Sequence, residues 1–534
     1  MSSWGKSAVK AAFVVLLTAS LAACAGYTKQ TAEVVQASQT GNVDQALTAL
    51  ESGNKSSDKD LLYYLEKGEL LRQKGSFADS RASWLSADEK VRTWEDAVKT
   101  DPGKLMGEIG SVLLNDTTRR YDGRDYEKTF LNVSIAMDHV ALGEWDNART
   151  EIKKMHEREA IIAEYRSKEL DAAEKSQQEK GVKTRSFKEL NGYPIETLED
   201  PQVRALKNAY ESAFGNYLAG FVYEALGEPS LAAPGYRKAA EMRPNVPQLD
   251  DALKNLDARM ASRGAGGKTE TLFVIETGNA PTINSVTLPI ILPIPTSHGL
   301  DFLATPISWP VIRPDAAMFV PTSILVDEAP VPSVLLTDVN VMARRSLSDE
   351  MPGILARSAA RAISRGIAQA ALDAGTQNSS NNTVKLVGAL FSLAAKVASV
   401  ATEVADERIW RTLPGTYSVA RVSLPAGTHK VSIATPAGPQ TVDVTVGGPY
   451  ALVAMRMVGA NLYVAPSPAA VNLPVVVTPV AAPVLPGTPE KKAPEAKKDH
   501  KKAEKKTDKK AEPAKADASP AAPAASAPAV APKN

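Results

Sequence analysis

Four glycines in the N-terminal half constrain this chain more than any other feature. Gly75 is followed by Phe77, Ser80, Trp84 and Ala87, and Gly143 by Trp145, Ala148, Ile152 and Met155. Gly227 is followed by Pro229, Ala232, Tyr236 and Ala239, then Pro244, and Gly41, Val43, Ala46 and Leu50 form a fainter copy. The step from Gly41 to Gly75 is 34 residues and that from Gly75 to Gly143 is 68, twice 34. A period of this length fits a helical hairpin: Gly ends the first helix, small residues let the second approach, and Pro closes the unit. One hairpin cannot bury its own apolar face, so the pattern demands a stacked array. Gly143 to Gly227 is 84 residues, so about 16 are inserted, and the charged run 151–180 is expected to hold them as a lengthened, solvated helix.

The first residues indicate destination. Lys6 and Lys10 precede an apolar run, 11–20, that is far too short to cross about 30 Å of hydrocarbon as a helix, which reads as a signal peptide. Leu21, Ala22, Ala23 and Cys24 follow, and Cys24 is the chain's one cysteine. This stretch resembles the lipobox of bacterial lipoproteins. The resemblance implies that Cys24 is the acylated first residue of the mature protein, that acyl chains hold it to the lipid bilayer, and that Ala25 favours the periplasmic face of the outer membrane. A single thiol rules out a disulfide framework and any multi-cysteine zinc site.

The C-terminal half changes period. Residues 270–342 read as short strands broken by ten prolines from Pro281 to Pro332, which must be edges, bulged or short because proline cannot donate to a ladder. From Ser346 the pattern turns helical, with Arg357, Arg361 and Arg365 spaced by four on one face. The apolar stretch 384–405 carries Lys385, Lys396 and Glu403, which favours a helix packed on the β domain over a membrane span. Residues 416–464 alternate as an antiparallel meander with turns at 425–428 and 447–449.

The expected fold is therefore α+β and multidomain. A signal peptide covers 1–23, a tetratricopeptide-like helical repeat domain 24–260, and a linker 261–269. An antiparallel β-sandwich follows over 270–464, carrying a helical pair at 346–408, and then a disordered tail, 465–534. That tail has 13 of the 36 prolines, 12 Lys and 7 acidic residues, and no aromatic residue. Lys pairs recur every four residues from Lys497 to Lys510, suiting either a semi-rigid spacer or contact with a polyanion such as cell wall or lipopolysaccharide. The formal net charge of +1 averages a basic tail over an acidic body and does not mark a nucleic-acid binder.

Three stretches are less generic: 121–127 (YDGRDYE) with 142–149, then 216–227 (NYLAGFVYEALG), and 405–414 (ADERIWRTLP) with Ala420, Arg421 and 424–429. They resemble a family of uncharacterised bacterial lipoproteins with tetratricopeptide-like repeats and a C-terminal β module. The proline-rich strands at 281–332 and the tail depart from it. The resemblance implies an envelope lipoprotein without an assigned activity, some of its members lying beside activators of cell-wall synthases.

No catalytic motif stands out. The five histidines are scattered without metal spacing, and 261–269 fails as a phosphate loop because Ser262 stands where Gly is needed. The expected function is thus a non-catalytic scaffold or assembly factor, its array groove receiving a protein partner, with no cofactor and no metal. The alternative is a hydrolase or transferase acting on an envelope polymer, with Asp116 and Glu127 as acid/base carboxylates. Helix capping is the plainer role for the 121–127 segment.

Overall fold

The glycines act as their spacing predicts. A computed structural model describes residues 27–100, 120–179, 192–296, 299–315, 318–355, 358 and 405–468. In it Gly41, Gly75, Gly143 and Gly227 have φ of 82°, 79°, 78° and 80°, each just past a helix end. The helices are α1 (Tyr27–Gln30), α2 (Ala32–Gln39), α3 (Val43–Gly53), α4 (Leu61–Gln73), α5 (Phe77–Thr100), α6 (Asp125–Ala141) and α7 (Trp145–Glu179). Then come α8 (Glu196–Glu199), α9 (Pro201–Ala205), α10 (Ala213–Ala225), α11 (Pro229–Met242), α12 (Pro247–Lys254), α13 (Leu256–Ala261) and a further helix, α14, over 339–355. Side-chain caps start several of them: Asp60 accepts from the Tyr63 N–H and Ser212 from that of Gly215.

Close approach within hairpins follows a second regularity tied to the first. Seven residues before the capping glycine lies Gly68 in α4 and Gly220 in α10, and nine after it lie Trp84 in α5 and Tyr236 in α11. A Cβ at Gly68 would fall 2.1 Å from Trp84 Nε1, and one at Gly220 would fall 2.6 Å from the Tyr236 ring. In the α6–α7 hairpin the same two places hold Ala136 and Ile152, a larger residue opposite a smaller one. The lengthened helix is real, 35 residues in α7, but it is solvated only in part. Ile152, Met155, Arg158, Ile162 and Tyr165 are buried along its first half.

The strands form a five-stranded sheet in the order β11-β10-β1-β7-β6, a four-stranded sheet β5-β4-β8-β9 and the two-stranded β2-β3. Their ranges are β1 Lys268–Thr277, β2 Ile283–Thr296, β3 Gly299–Ile312, β4 Ser323–Val326, β5 Ala329–Pro332, β6 Val334–Asp338, β7 Thr416–Pro425, β8 Gly427–Thr435, β9 Gly438–Val446, β10 Tyr450–Val458 and β11 Asn461–Pro466. Alternation divides the central strands between two cores. Leu272, Val274, Tyr417, Val419, Tyr450 and Leu452 face the helices. Phe273, Ile275, Ala420, Leu424, Val453 and Met455 face the four-stranded sheet. The architecture is thus mixed α+β, helices first and strands after, and the five-stranded sheet is covered on both sides.

Several expectations change. The meander is interrupted, because the turns at 425–427 and 447–449 move the chain between sheets. As a result β7 does not pair with β8, and β10 runs parallel to β1. The expected linker 261–269 already contains the start of β1, and all described residues belong to one compact unit. The helical insertion begins at 339 rather than 346, and β11 carries the ordered body to Pro466, just past the expected boundary at 465. Asp116, Arg357, Arg361, Arg365, the 384–404 stretch and the tail beyond 468 lie outside the described residues.

The expected edge placement holds for β2, β3 and the four-residue β5, but the prolines do not shorten β2 and β3, which have 14 residues each. Pro289, Pro293 and Pro295 in β2, and Pro306 and Pro310 in β3, all belong to one of the two alternating classes of cross-strand pair. In that class the N–H points away from the partner strand, so proline removes no ladder bond and blunts both outer edges instead. The outward carbonyls of Pro310 and Ile283, in the same class, accept from Tyr193 Oη at 2.9 Å and Thr28 Oγ1 at 3.4 Å.

In a helix interior Gly→Ala ordinarily adds about 1 kcal/mol of stability. Gly68→Ala should instead destabilise the protein by about 1–3 kcal/mol, since Trp84 is fully buried and its Nε1 is tied to the Leu65 carbonyl at 3.1 Å. Urea denaturation of the variant reads the sign directly.

Candidate functional site

Strand alternation that turns Leu272 and Leu452 toward the helices also turns Glu270, Glu276, Arg421 and Arg456 that way. Charges on a buried sheet face need partners, and the array's first helices supply them. Arg72 of α4 holds Glu276 at 2.7 Å, with Glu69 and Asp138 each 3.6 Å away. Arg456 of β10 reaches Glu69 at 2.8 Å, the carbonyl oxygens of Gly278, Met457 and Thr412 at 2.5, 3.0 and 3.1 Å, and Asn279 Oδ1 at 2.8 Å. This cluster has two guanidiniums and three carboxyls, so one carboxyl is in excess. Burial, only partly offset by Arg72, pushes Asp138 up to about 8, which keeps its proton in place at neutral pH.

A second lock lies on α10. Glu224 accepts from Arg421 and Arg259 at 2.7 Å each, from Tyr236 Oη at 2.6 Å and from Tyr450 Oη at 3.1 Å. Burial would raise its pKa, but the two guanidiniums hold it below the usual value.

A third lock holds the 405–414 stretch against the array. Glu66 takes the Arg411 and Thr412 N–H groups at 2.7 and 2.9 Å, Thr412 Oγ1 at 2.6 Å and Tyr27 Oη at 3.0 Å. Glu127 takes the Trp410 N–H at 2.6 Å, Tyr121 Oη at 2.6 Å and the Arg124 N–H at 2.8 Å. Burial raises the pKa of both carboxyls, against the pull of these donors. Trp410 then packs edge-on against Trp84, ring centroids 5.9 Å apart. The groove expected to receive a protein partner is therefore lined by this chain's own β1, β7, β10 and 405–414 loop.

The segment 121–127 does cap α6: Glu127 closes its first turn on the Arg124 N–H. Its additional bond to Trp410 joins two of the stretches singled out in the sequence, and nothing in either one predicts that contact. Glu127 does not line the neighbouring cleft. The cleft beside it, about 100 Å³ between Trp94, Tyr165 and Ile354, balances its charges internally. There Arg124 pairs with Glu350 at 2.5 Å, Arg166 with Glu169 at 2.5 Å, Arg120 with Asp122 at 3.3 Å and Arg408 with Asp406 at 2.8 Å.

His139 packs at the end of α6 with Nδ1 2.7 Å from Glu144, and no group of metal-ligating side chains occurs among the described residues. No described helix is long and apolar enough to cross a membrane. Cys24 lies outside the described residues.

No protein-family model and no curated protein matches the chain. Among solved structures, the crystal structure of a tetratricopeptide repeat protein from Parabacteroides merdae ATCC 43184 aligns at 14% identity, covering 43% of this chain and 98% of that one, with a TM-score of 0.13. That score is too low for the likeness to decide anything about the fold.

Two measurements test the locks. Glu127→Ala strands two buried donors and a half-buried one and should cost about 3 kcal/mol in urea denaturation. Asp138 has a folded pKa of about 8, against roughly 4 when unfolded. The folded state therefore binds the extra proton between those values, and stability falls as pH rises through that window, by up to about 1.4 kcal/mol per unit. Asp138→Asn should remove its share of this slope and leave that of Glu159, which burial also raises to about 8; identical slopes for variant and parent would refute the assignment.

Proposed function

We propose that this chain is a cell-envelope lipoprotein, acylated at Cys24 and facing the periplasm from the outer membrane. In this reading it works as a non-catalytic protein-interaction scaffold or assembly factor, with tetratricopeptide-like hairpins and the two facing sheets acting as a β-sandwich. The observation that carries it is the sole cysteine, placed after Leu21, Ala22 and Ala23 and only three residues before the body begins at Tyr27. Tyr27 Oη is bonded to Glu66 at 3.0 Å. Three extended residues span at most about 11 Å, so acyl chains on Cys24 would hold the body against the bilayer rather than on a long leash.

Because the chain's own sheet lines the inner side of the array, the surface offered to a protein partner is the outer one. The second helices of the hairpins show exposed leucines there, Leu85 in α5, Leu170 in α7 and Leu231 in α11. The Lys pairs of 497–510 would add contact with an anionic envelope polymer.

Cys24→Ser should lose incorporation of a palmitate analogue and move from the membrane to the soluble fraction. Retention in the membrane fraction would overturn the anchor. Crosslinked pull-down from membranes should recover a stoichiometric protein partner that disappears when Leu85 and Leu231 are both changed to Glu, a change that spares the buried faces.

A further inference from the structure

A cavity of about 450 Å³ that the locks do not fill sits where the parallel pair β1 and β10 ends. Thr277 and Met457, register partners, form its floor. Asn279 follows on one side and Arg411 of the clamped loop stands on another, while Met318 and Phe319 supply an apolar wall. A cavity of this size accepts a ligand with a handful to a couple of dozen heavy atoms.

Its polar groups are unbalanced in one direction. Two guanidiniums, the exposed Arg313 and the half-buried Arg411, line it against one carboxylate, the exposed Asp315. Arg411 Nε and Asn279 Nδ2 are both buried donors without a hydrogen-bond partner. The amide of Asn279 is held in this orientation because its oxygen accepts from Arg456. The backbone N–H of Arg411 is held by Glu66 at 2.7 Å, so the loop cannot swing away to find another acceptor. Burial pulls the Arg411 pKa down and Glu66 only partly restores it. Arg72, Arg421 and Arg456, between the layers, meet carboxylates at 2.6–2.8 Å, whereas Arg411 Nε has no acceptor.

From Arg411 and Asn279, which line one cavity together with Met318 and Phe319 and each carry a buried donor without a partner, we infer a binding site for a small ligand that carries an oxyanion, carboxylate or phosphate, on an apolar body. The oxyanion takes the guanidinium fork and the Asn279 amide, as planar donors favour. The apolar body lies against Met318 and Phe319. The site depends on neither acylation nor a protein partner.

The test uses the full mature chain with three matched probes: phenylacetate, phenyl phosphate and the neutral phenylacetamide, followed by calorimetry and ligand-observed NMR. At least one anion should bind more tightly than about 1 mM, with the amide at least tenfold weaker. Preference between the two anions tells which oxyanion the site is built for. Arg411→Met, which keeps the backbone contact to Glu66, should weaken the anion about tenfold or more and leave the amide unchanged. Arg411→Lys, which keeps the charge but removes Nε, should fall between and serves if the Met variant fails to fold. Equal binding of amide and anions, unchanged affinity in both variants, or no binding of any probe, leaving water as the only occupant, would each overturn the site.

Discussion

The structure depends on charge buried between two layers. A helical array and a sheet could meet through apolar side chains alone, but here Arg72, Glu69, Asp138, Glu276 and Arg456 lie at the contact, each less than a tenth exposed. Taking such groups out of water is expensive, and only close pairing offsets it, so the two layers have essentially one relative position that satisfies the cluster. A sliding displacement of a single residue would strand a guanidinium. The surplus carboxyl is tolerated because it can keep its proton, which makes Asp138 one of the points at which pH reaches the interior.

The same constraint explains why the array does not present an open groove. Glu66 and Glu127 project from first helices of hairpins, where an incoming peptide would meet them in a free array. Their acceptors are already taken by backbone N–H groups of 410–412, so the chain supplies its own extended segment. The polar recognition that a repeat array commonly offers to others is used inside the molecule. The outer helix faces and the cavity at the end of β1 and β10 are left for other work.

Much of this was legible in the residues. The capping glycines, the lengthened α7, the strand alternation over 416–458 and the capping role of Glu127 follow from local rules. The proline-rich strands are edges, as their prolines require, but two of them are longer than expected, because proline counts against a strand only where its N–H is needed. A single sequence shows spacing but not which alternating class faces the partner. The meander was misread for a related reason: a turn joins two strands whether or not they stay in one sheet, and only the packing of β8 and β9 on the opposite core decides that. At the cavity, Arg411 is one more arginine in the sequence, and its lack of an acceptor appears only when the neighbours are in place.

By itself the sequence determined the periodic elements, because helix caps, hairpin period and strand alternation are properties of residues a few positions apart. It also placed the single thiol at the end of an export-like segment, a relation between adjacent residues. Only the tertiary structure decided that helices and strands form one body, that β10 lies parallel to β1, that the array's inner side is occupied from within, and that two donors at the strand ends lack acceptors. Those outcomes join residues as far apart as Glu66 and Thr412 or Glu69 and Arg456. Which distant charges meet is settled by the cost of leaving any of them buried and unpaired, a cost summed over the whole fold rather than written in any one stretch of it.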